Sequence, residues 1–310
     1  MVLNIKALKP VAFFFYFIAS AVLAQPQQTT LVSYRSPESD GDKRYEYNSM
    51  VLRRALEKTI AQYGPFQMVP APRMNVTRTF HTLSHGAVPT LATESNTQVT
   101  SNFVAKLSYE KRFSDEMNMV FARFPVDLGI VGYRVCFVSP EKKADLLKVS
   151  TLSDLKKFTH GQGRGWSDVK ILQANDINVT EVEGYELLFK MVAANRFDLF
   201  CRGTNELRNE YFSHQHIKNL TYDKNISIAY PLPRFFYSHK KNAKLIERIE
   251  QGLILAYEDG SLLKLWLRQY GDSLAFANLK NRTIYKIKNP FVSDLKFDYE
   301  KYFYDPLKSK

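Results

Sequence analysis

The chain has 310 residues, of which 45% are hydrophobic and 14% aromatic, and its formal charge is +12. This length and apolar content allow one large or two ordinary domains with a sizeable core, and they exclude a disordered chain. The basic residues are spread along the sequence in runs of no more than two, so we expect no nucleic-acid partner.

The first 24 residues have the features of a secretory signal peptide. Lys6 and Lys9 precede an apolar run at 11–23, and residues 22–24 offer a cleavage site. The run is shorter than the roughly 20 apolar residues of a membrane-spanning helix, which makes an anchor the weaker alternative. We therefore expect residues 1–24 to be removed and the mature protein to be periplasmic. Its charge of +10 favours anionic ligands or surfaces.

The mature sequence alternates between strand and helix patterns. The first unit is predicted as a strand at 29–34, a long helix with apolar positions from Leu52 to Tyr63, a strand at 67–71, a helix at 76–85 and a strand at 87–93. The second is predicted as a strand at 133–138, a helix from about 152, a strand at 156–161, a helix to about 175, and strand, helix and strand at 177–183, 184–195 and 196–201. A strand at 234–239 and helices at 243–257 and 262–272 follow, and then an aromatic, basic tail that could wrap the surface.

Capping residues mark two of these helices. Thr151 with Asp154 three residues later predicts the start of one helix, and Ser167 is the expected cap of the next. The pattern as a whole predicts two α/β lobes, each with a mainly parallel sheet flanked by helices.

The stretch THGQGRGWSD at 159–168 joins a predicted strand to a predicted helix. Glycines in such a turn let backbone N–H groups approach a ligand closely, so Gly163 and Gly165 are candidates for a binding loop. Ligands of open α/β sheets bind at the carboxyl ends of the strands. Polar or small residues follow the predicted strands here at Tyr34, Arg35, Ala92, Thr93, Glu94, Arg164, Arg202 and Gly203.

The segments 152–168, 184–203 and 242–272, in this order, resemble the amino-acid-type substrate-binding proteins of ABC transporters, which are type 2 periplasmic solute-binding proteins. The resemblance covers nearly the whole mature chain. It implies a two-lobed periplasmic-binding-protein-like fold with lobe 1 at 25–131 and 232–310 and lobe 2 at 132–231. Two hinge crossings, near 129–132 and 229–233, would let the lobes close on a small-molecule solute.

Carried over residue by residue, the resemblance implies a set of cleft residues: Tyr34, Arg35, Ala92, Thr93, Gly163, Arg164, Gly165, Trp166, Ser167, Arg202 and Gly203. The sequence departs from the family twice. No arginine follows Thr93 before Arg112, and Arg202 stands where the family has an aspartate. Arg35, Arg164 and Arg202 therefore predict a solute with a carboxylate, phosphate or sulfate group.

Several of these residues have a structural alternative. Arg202 could form an ion pair with Glu206 or Asp198, Trp166 could be a core aromatic, and Arg35 could point to solvent. The two cysteines, Cys136 and Cys201, could form a disulfide or remain two separate buried thiols.

The leading function is reversible capture of a small polar, anionic solute, which is presented to an ABC permease or a membrane sensor. One alternative is an enzyme like the cyclohexadienyl dehydratases, with Glu94, Asp168 or His160 as acid or base. Another is a scaffold of the same fold that binds no ligand. We expect a monomer with no cofactor and no metal, since two cysteines exclude a cysteine-based zinc site.

Overall fold

The structure is a computed structural model that describes residues 29–37, 45–87 and 102–308. The expected signal peptide lies outside these residues, as do 88–93 of the third predicted strand with Ala92 and Thr93, and the acid–base candidate Glu94. Within the described ranges, no helix has the length and apolar character needed to cross a membrane.

The strands of the described residues are, in chain order, β1 (Thr30–Tyr34), β2 (Phe66–Pro70), β3 (Asn102–Ser108), β4 (Met119–Phe121), β5 (Tyr133–Val138), β6 (His160–Gly163), β7 (Val179–Val182), β8 (Phe200–Gly203), β9 (Thr221–Tyr222), β10 (Ile226–Ala229), β11 (Arg234–His239) and β12 (Thr283–Lys286). The helices are α1 (Glu46–Lys58), α2 (Ile60–Tyr63), α3 (Val76–Ser84), α4 (Lys111–Asp115), α5 (Pro140–Leu146), α6 (Leu152–Leu155), α7 (Ser167–Gln173), α8 (Tyr185–Ala193), α9 (Thr204–Ser213), α10 (Ala243–Glu258) and α11 (Ser261–Ala277).

The first sheet has the order β2-β1-β3-β11-β4. β1 runs parallel to β2 and β3, whereas β11 is antiparallel to both β3 and β4. Helices α1 and α10 pack together against this sheet through apolar stripes that include Val51 and Leu253. Their approach requires a glycine, because a Cβ on Gly252 would lie 2.0 Å from the carbonyl oxygen of Ala55.

The second sheet has the order β12-β10-β5-β8, with β9 beside β5. The β6–β7 pair joins it through a parallel bridge between His160 and Leu199 next to β8. A disulfide between Cys136 and Cys201 links β5 to β8, where the two residues are directly opposite each other. The predicted lobes and the observed sheets disagree at one strand. Strand β12 was expected in lobe 1, but it pairs with β10 of the second sheet. The lobe boundaries stay a prediction.

The chain passes from the first sheet to the second after β4, through a 3-10 turn at Ile130–Gly132, and returns between β10 and β11. The two crossings lie side by side, since the Tyr230 N–H donates to the Gly132 carbonyl at 3.1 Å. A Cβ on Gly132 would be 2.3 Å from the Tyr230 carbonyl oxygen, so only glycine allows this approach. Helix α11 also bridges the sheets: Trp266 Nε1 donates to the carbonyl of Asp127, and Ser273 Oγ to that of Thr204.

The second unit differs from the sequence prediction in the bounds of two strands and in the cap of α7. Strand β6 covers residues 160–163 rather than 156–161, and β8 covers 200–203 rather than 196–201. Ser167 is the first helical residue of α7 rather than its cap, which is Trp166 and makes no side-chain capping bond. The Ser167 hydroxyl instead donates to Glu110 at 3.3 Å. The capping box of Thr151 and Asp154 is present as predicted.

Candidate functional site

A cavity of about 140 Å³ lies between the two sheets. Its first wall lies at the sheet edge where β1 and β3 end and β11 begins. This wall includes Arg35, Asn48, Phe80, Lys106, Glu110 and Arg234. Its second wall comes from the loop after β6 and the end of β8, with Gly165, Trp166, Ser167, Asp168, Arg202 and Glu206. The cavity thus lies where the carboxyl ends of parallel strands face each other across two sheets.

The structure brings some of the predicted site residues together and not others. Five of them line the cavity: Arg35, Gly165, Trp166, Ser167 and Arg202. Tyr34 packs partly buried against the main core, and Gly203 ends β8 just before α9. Arg164 lies on the surface, where its guanidinium pairs with Glu183 and both side chains are exposed. The prediction that Arg164 faces the cavity is therefore not met by the structure.

The glycines of the β6–α7 loop are explained by the packing of Trp166. A Cβ on Gly163 would lie 2.3 Å from the Trp166 ring, so the ring can cover the strand only if residue 163 is glycine. Gly165 has φ +75°, a left-handed conformation that side chains disfavour. The loop thereby turns Arg164 outward and holds the indole at the cavity wall.

Arg202 is an ion-paired residue with 4% of its surface exposed. Its guanidinium bonds to Glu210 at 2.7 to 2.9 Å and to Glu206 at 2.9 Å, and it stacks on the Trp166 ring at 4.8 Å. Burial alone would lower the pKa of Arg202, but the two glutamates outweigh it and raise the pKa well above its ordinary value. The ion pair with Glu206 is the structural alternative considered from the sequence. Arg202 therefore shapes the wall and its charge is already compensated.

Asp168 also has its hydrogen-bond partners within the protein. Its carboxylate accepts hydrogen bonds from Arg134 and from the Tyr230 hydroxyl, and all three residues are buried. Burial lowers the pKa of Arg134, but the nearby acidic groups, Asp168 foremost, together outweigh it and raise that pKa. Burial raises the pKa of Tyr230. A carboxylate held by two donors is a poor general acid or base.

The remaining acid–base candidate, His160, is fully buried in β6, outside the residues that line the cavity. Burial lowers its pKa to about 4, and its Nδ1 lies 3.7 Å from Cys201 Sγ. The part of the chain that the structure describes contains no group of three or more His, Cys, Asp or Glu side chains that could hold a metal ion.

Two cationic residues of the first wall were not predicted from the sequence. Lys106 pairs with Asp127 at 2.5 Å, and both side chains are buried. Burial lowers the pKa of Lys106 in spite of Asp127, and the nearby charge of Arg234 lowers it further. Arg234 is half-buried, and its guanidinium makes no hydrogen bond or ion pair with the residues described here.

The direction of β11 explains why Arg234 lies at the cavity. It is the first residue of β11 and pairs with Ser108, the last residue of β3. Because β11 is antiparallel to β3, its amino end lies at the same sheet edge as the carboxyl ends of β1 and β3. Asn48, also in this wall, has a buried Oδ1 that lacks a partner among the described residues.

The two walls touch beside the cavity through Glu110, which follows β3. Its carboxylate accepts from Ser167 at 3.3 Å and lies 3.6 Å from Lys170 Nζ, both in α7. It also binds Arg112 of its own wall at 2.7 Å. The acidic side chains that line the cavity, Glu110, Asp168 and Glu206, therefore all pair with other cationic residues. The positive charge of Arg234 has no such acidic partner in the described part of the chain.

No protein-family model matches the chain, and no curated protein matches it. Among solved structures, an ancestral arginine-binding protein bound to arginine is 15% identical, with a TM-score of 0.54 over 79% of this chain and 100% of that one. A structure titled for glutathione import through GshT and the cystine ABC importer TcyBC of Streptococcus mutans is 14% identical, with a TM-score of 0.54 over 79% and 96%. A histidine kinase sensor domain with similarity to periplasmic binding proteins is 13% identical, with a TM-score of 0.53 over 79% and 97%. The predicted fold class is thereby confirmed, and the chain has the two-lobed fold of the periplasmic solute-binding proteins.

Proposed function

We propose that this protein binds a small solute bearing a carboxylate or a similar anionic group in the cavity between its sheets, and that its lobes close around that solute. The observation that carries the proposal is the half-buried guanidinium of Arg234, which lines the cavity without an acidic partner in the described ranges. A guanidinium presents a planar pair of donors that matches a carboxylate. A bound anion would supply the missing partner.

The size and the walls of the cavity narrow the solute class. An engineered protein cavity of about 150 Å³ holds benzene, so a cavity of about 140 Å³ suits a solute of similar size. Trp166, Phe80 and Phe113 give it apolar faces on both sides. We propose a compact monocarboxylate or amino acid whose apolar part stacks on these rings while its charged end meets Arg234.

The cellular role follows from export. With residues 1–24 as signal peptide, the protein would collect its solute in the periplasm and present the closed form to a membrane partner. The structural neighbours support two kinds of partner, because one is described with an ABC importer and another as a sensor domain of a histidine kinase. Enzymatic turnover is not part of the proposal, since Asp168 is held by Arg134 and Tyr230.

A thermal-shift screen of the mature protein tests the proposal. A ligand specific to the native state at 100 times its Kd stabilises it by about 2.7 kcal/mol, so the melting temperature should rise with one class among amino acids, monocarboxylates, dicarboxylates and phosphorylated solutes. Arg234→Gln should weaken binding of the active solute about 10- to 100-fold, the loss of a charge-assisted hydrogen bond. Arg268→Gln, at an exposed position of α11, is the matched control and should bind like the wild type.

Two results would contradict the proposal. If no class raises the melting temperature, the scaffold alternative is favoured. If a solute binds and Arg234→Gln leaves its affinity unchanged, the solute does not meet the guanidinium on which the proposal rests.

A further inference from the structure

The segment 287–305, here called the C-terminal strap, leaves the second sheet and ends on the first. It begins directly after β12, which pairs with β10. Val292 and Tyr299 of the strap are buried in the core cluster that contains Phe235 and Tyr237 of β11. The strap is therefore a covalent connection between the sheets in addition to the two crossings.

The strap binds the second crossing, which runs between β10 and β11. Ile287 N–H donates to the Ala229 carbonyl at 2.9 Å, at the start of this crossing. Asn289 Nδ2 donates to the Pro231 carbonyl at 2.8 Å, and Asn289 is itself buried. Pro231 lies in the middle of the crossing, so the bond fixes the backbone where the chain changes sheets.

The strap also binds the first crossing. Tyr304 N–H donates to the Leu128 carbonyl at 2.9 Å. The Phe303 ring lies on the next residue, since a Cβ on Gly129 would be 2.6 Å from it. Leu128 and Gly129 have φ +48° and +79°, so this crossing holds two consecutive left-handed residues, one of them not glycine. Such a conformation persists only when its surroundings hold it.

Aromatic contacts anchor the strap at its distal end. The Tyr304 ring lies 4.6 Å from that of Trp266, and the Tyr302 ring lies 4.5 Å from that of Phe124. Trp266 is fully buried in α11, which bridges the sheets. The strap thus packs against the first sheet on one side of the crossings and follows a strand of the second sheet on the other.

We infer that the C-terminal strap is a brake on lobe rotation that holds both crossings in the conformation observed. Hinge motion requires backbone dihedral changes in a few crossing residues. Here those changes would break the bonds from Asn289 and Tyr304 and displace the Phe303 ring from Gly129. The lobes should therefore open less readily than two crossings alone would permit. The inference rests on the lobe closure of the proposed function but not on solute binding.

Acrylamide quenching of tryptophan fluorescence in the solute-free protein tests the brake. The chain has two tryptophans, and Trp266 is fully buried, so quenching reports the cavity-facing Trp166. Phe303→Ala and Asn289→Ala should each raise the Stern–Volmer constant by about twofold or more, because freer rotation separates the two walls, which Glu110 and Ser167 join in the observed conformation, and exposes Trp166. Phe291→Ala, at a strap position with 41% exposure, is the matched control and should leave the constant unchanged.

The strap is not a brake if folded Phe303→Ala and Asn289→Ala are quenched like the wild type, or if Phe291→Ala raises quenching as much as they do. Should Phe303→Ala fail to fold, Asn289→Ala still decides the question, because it deletes only two side-chain hydrogen bonds, one to the Pro231 carbonyl and one from the Phe291 N–H. The measurement contains no solute, so its failure is distinct from a failure of the thermal-shift screen.

Discussion

Replacement of Arg202 by alanine tests whether this residue is structural, as its ion pairs indicate, or a solute contact, as the sequence predicts. The substitution removes the guanidinium that binds Glu206 at 2.9 Å and Glu210 at 2.7 Å. The two carboxylates remain with side chains only 10% and 6% exposed. Removal of one partner from a buried ion pair costs about 3–5 kcal/mol, because the remaining charge is left without compensation. We expect a loss of unfolding free energy in this range.

Urea denaturation of the solute-free protein at pH 7, followed by circular dichroism, measures this loss. A neutral variant separates charge from packing: Arg202→Met combined with Glu206→Gln and Glu210→Gln removes the buried charges and should recover more than half of the loss. A surface substitution typically changes stability by about 0.5 kcal/mol or less, so an Arg202→Ala protein within that distance of the wild type would refute the structural role. Arg202 would then have to be reassigned as a solute contact.

Three further predictions concern stability. Burial lowers the pKa of His160 to about 4 from an ordinary value near 6.5. As the pH falls from 6.5 to 4, the unfolded chain therefore binds a proton that the folded chain does not, and the free energy of unfolding should fall by up to about 3 kcal/mol. The urea midpoints at pH 7 and 4.5 should differ less in His160→Leu than in the wild type. The Cys136–Cys201 bond joins residues 65 apart, so replacing both by serine should cost about 4 kcal/mol, and a reductant should then have no further effect on the urea midpoint. Gly252→Ala should cost about 3 kcal/mol, the upper end of the usual range for overpacking, because the new methyl group would overlap the Ala55 carbonyl oxygen; an unchanged denaturation curve would show that α1 and α10 do not pack this closely.

Much of the fold was predictable from local pattern. Residues 234–239 were predicted as a strand with the bounds that β11 has, and α3, α8 and α10 were predicted within a few residues. The long first helix was predicted as a single element, but the structure divides it into α1 and α2. Their apolar residues repeat with helical or strand periodicity and end at Gly, Pro or capping residues. Strand β6 was misplaced because its sequence, HGQG, has no β-branched or large apolar residue, and its four residues are buried by the neighbouring sheet and by Trp166. Tertiary context alone makes it a strand.

The site was predictable only in part, and for a related reason. Arg35 reaches the cavity because it follows β1, a strand that the sequence revealed. Trp166 follows β6, which the sequence placed a few residues too early, and Arg202 lies within β8, one residue beyond the predicted end of that strand. Arg234 was missed because it begins a strand, and only the antiparallel pairing of β11 with β3 brings that end to the cavity. The ion pair of Arg202 with Glu206 was considered from the sequence, but the pair with Glu210 was missed, because Glu210 lies in α9, a largely polar helix that the apolar pattern did not indicate.

The central claim is that the inter-sheet cavity holds an anionic solute against Arg234, and a crystal structure of the protein with the solute found by thermal shift tests it most directly. We expect density for the solute between the Trp166 ring and the first wall, with a carboxylate oxygen about 2.7–2.9 Å from the Arg234 guanidinium. Density for the solute outside this cavity, or inside it with Arg234 turned away, would contradict the account.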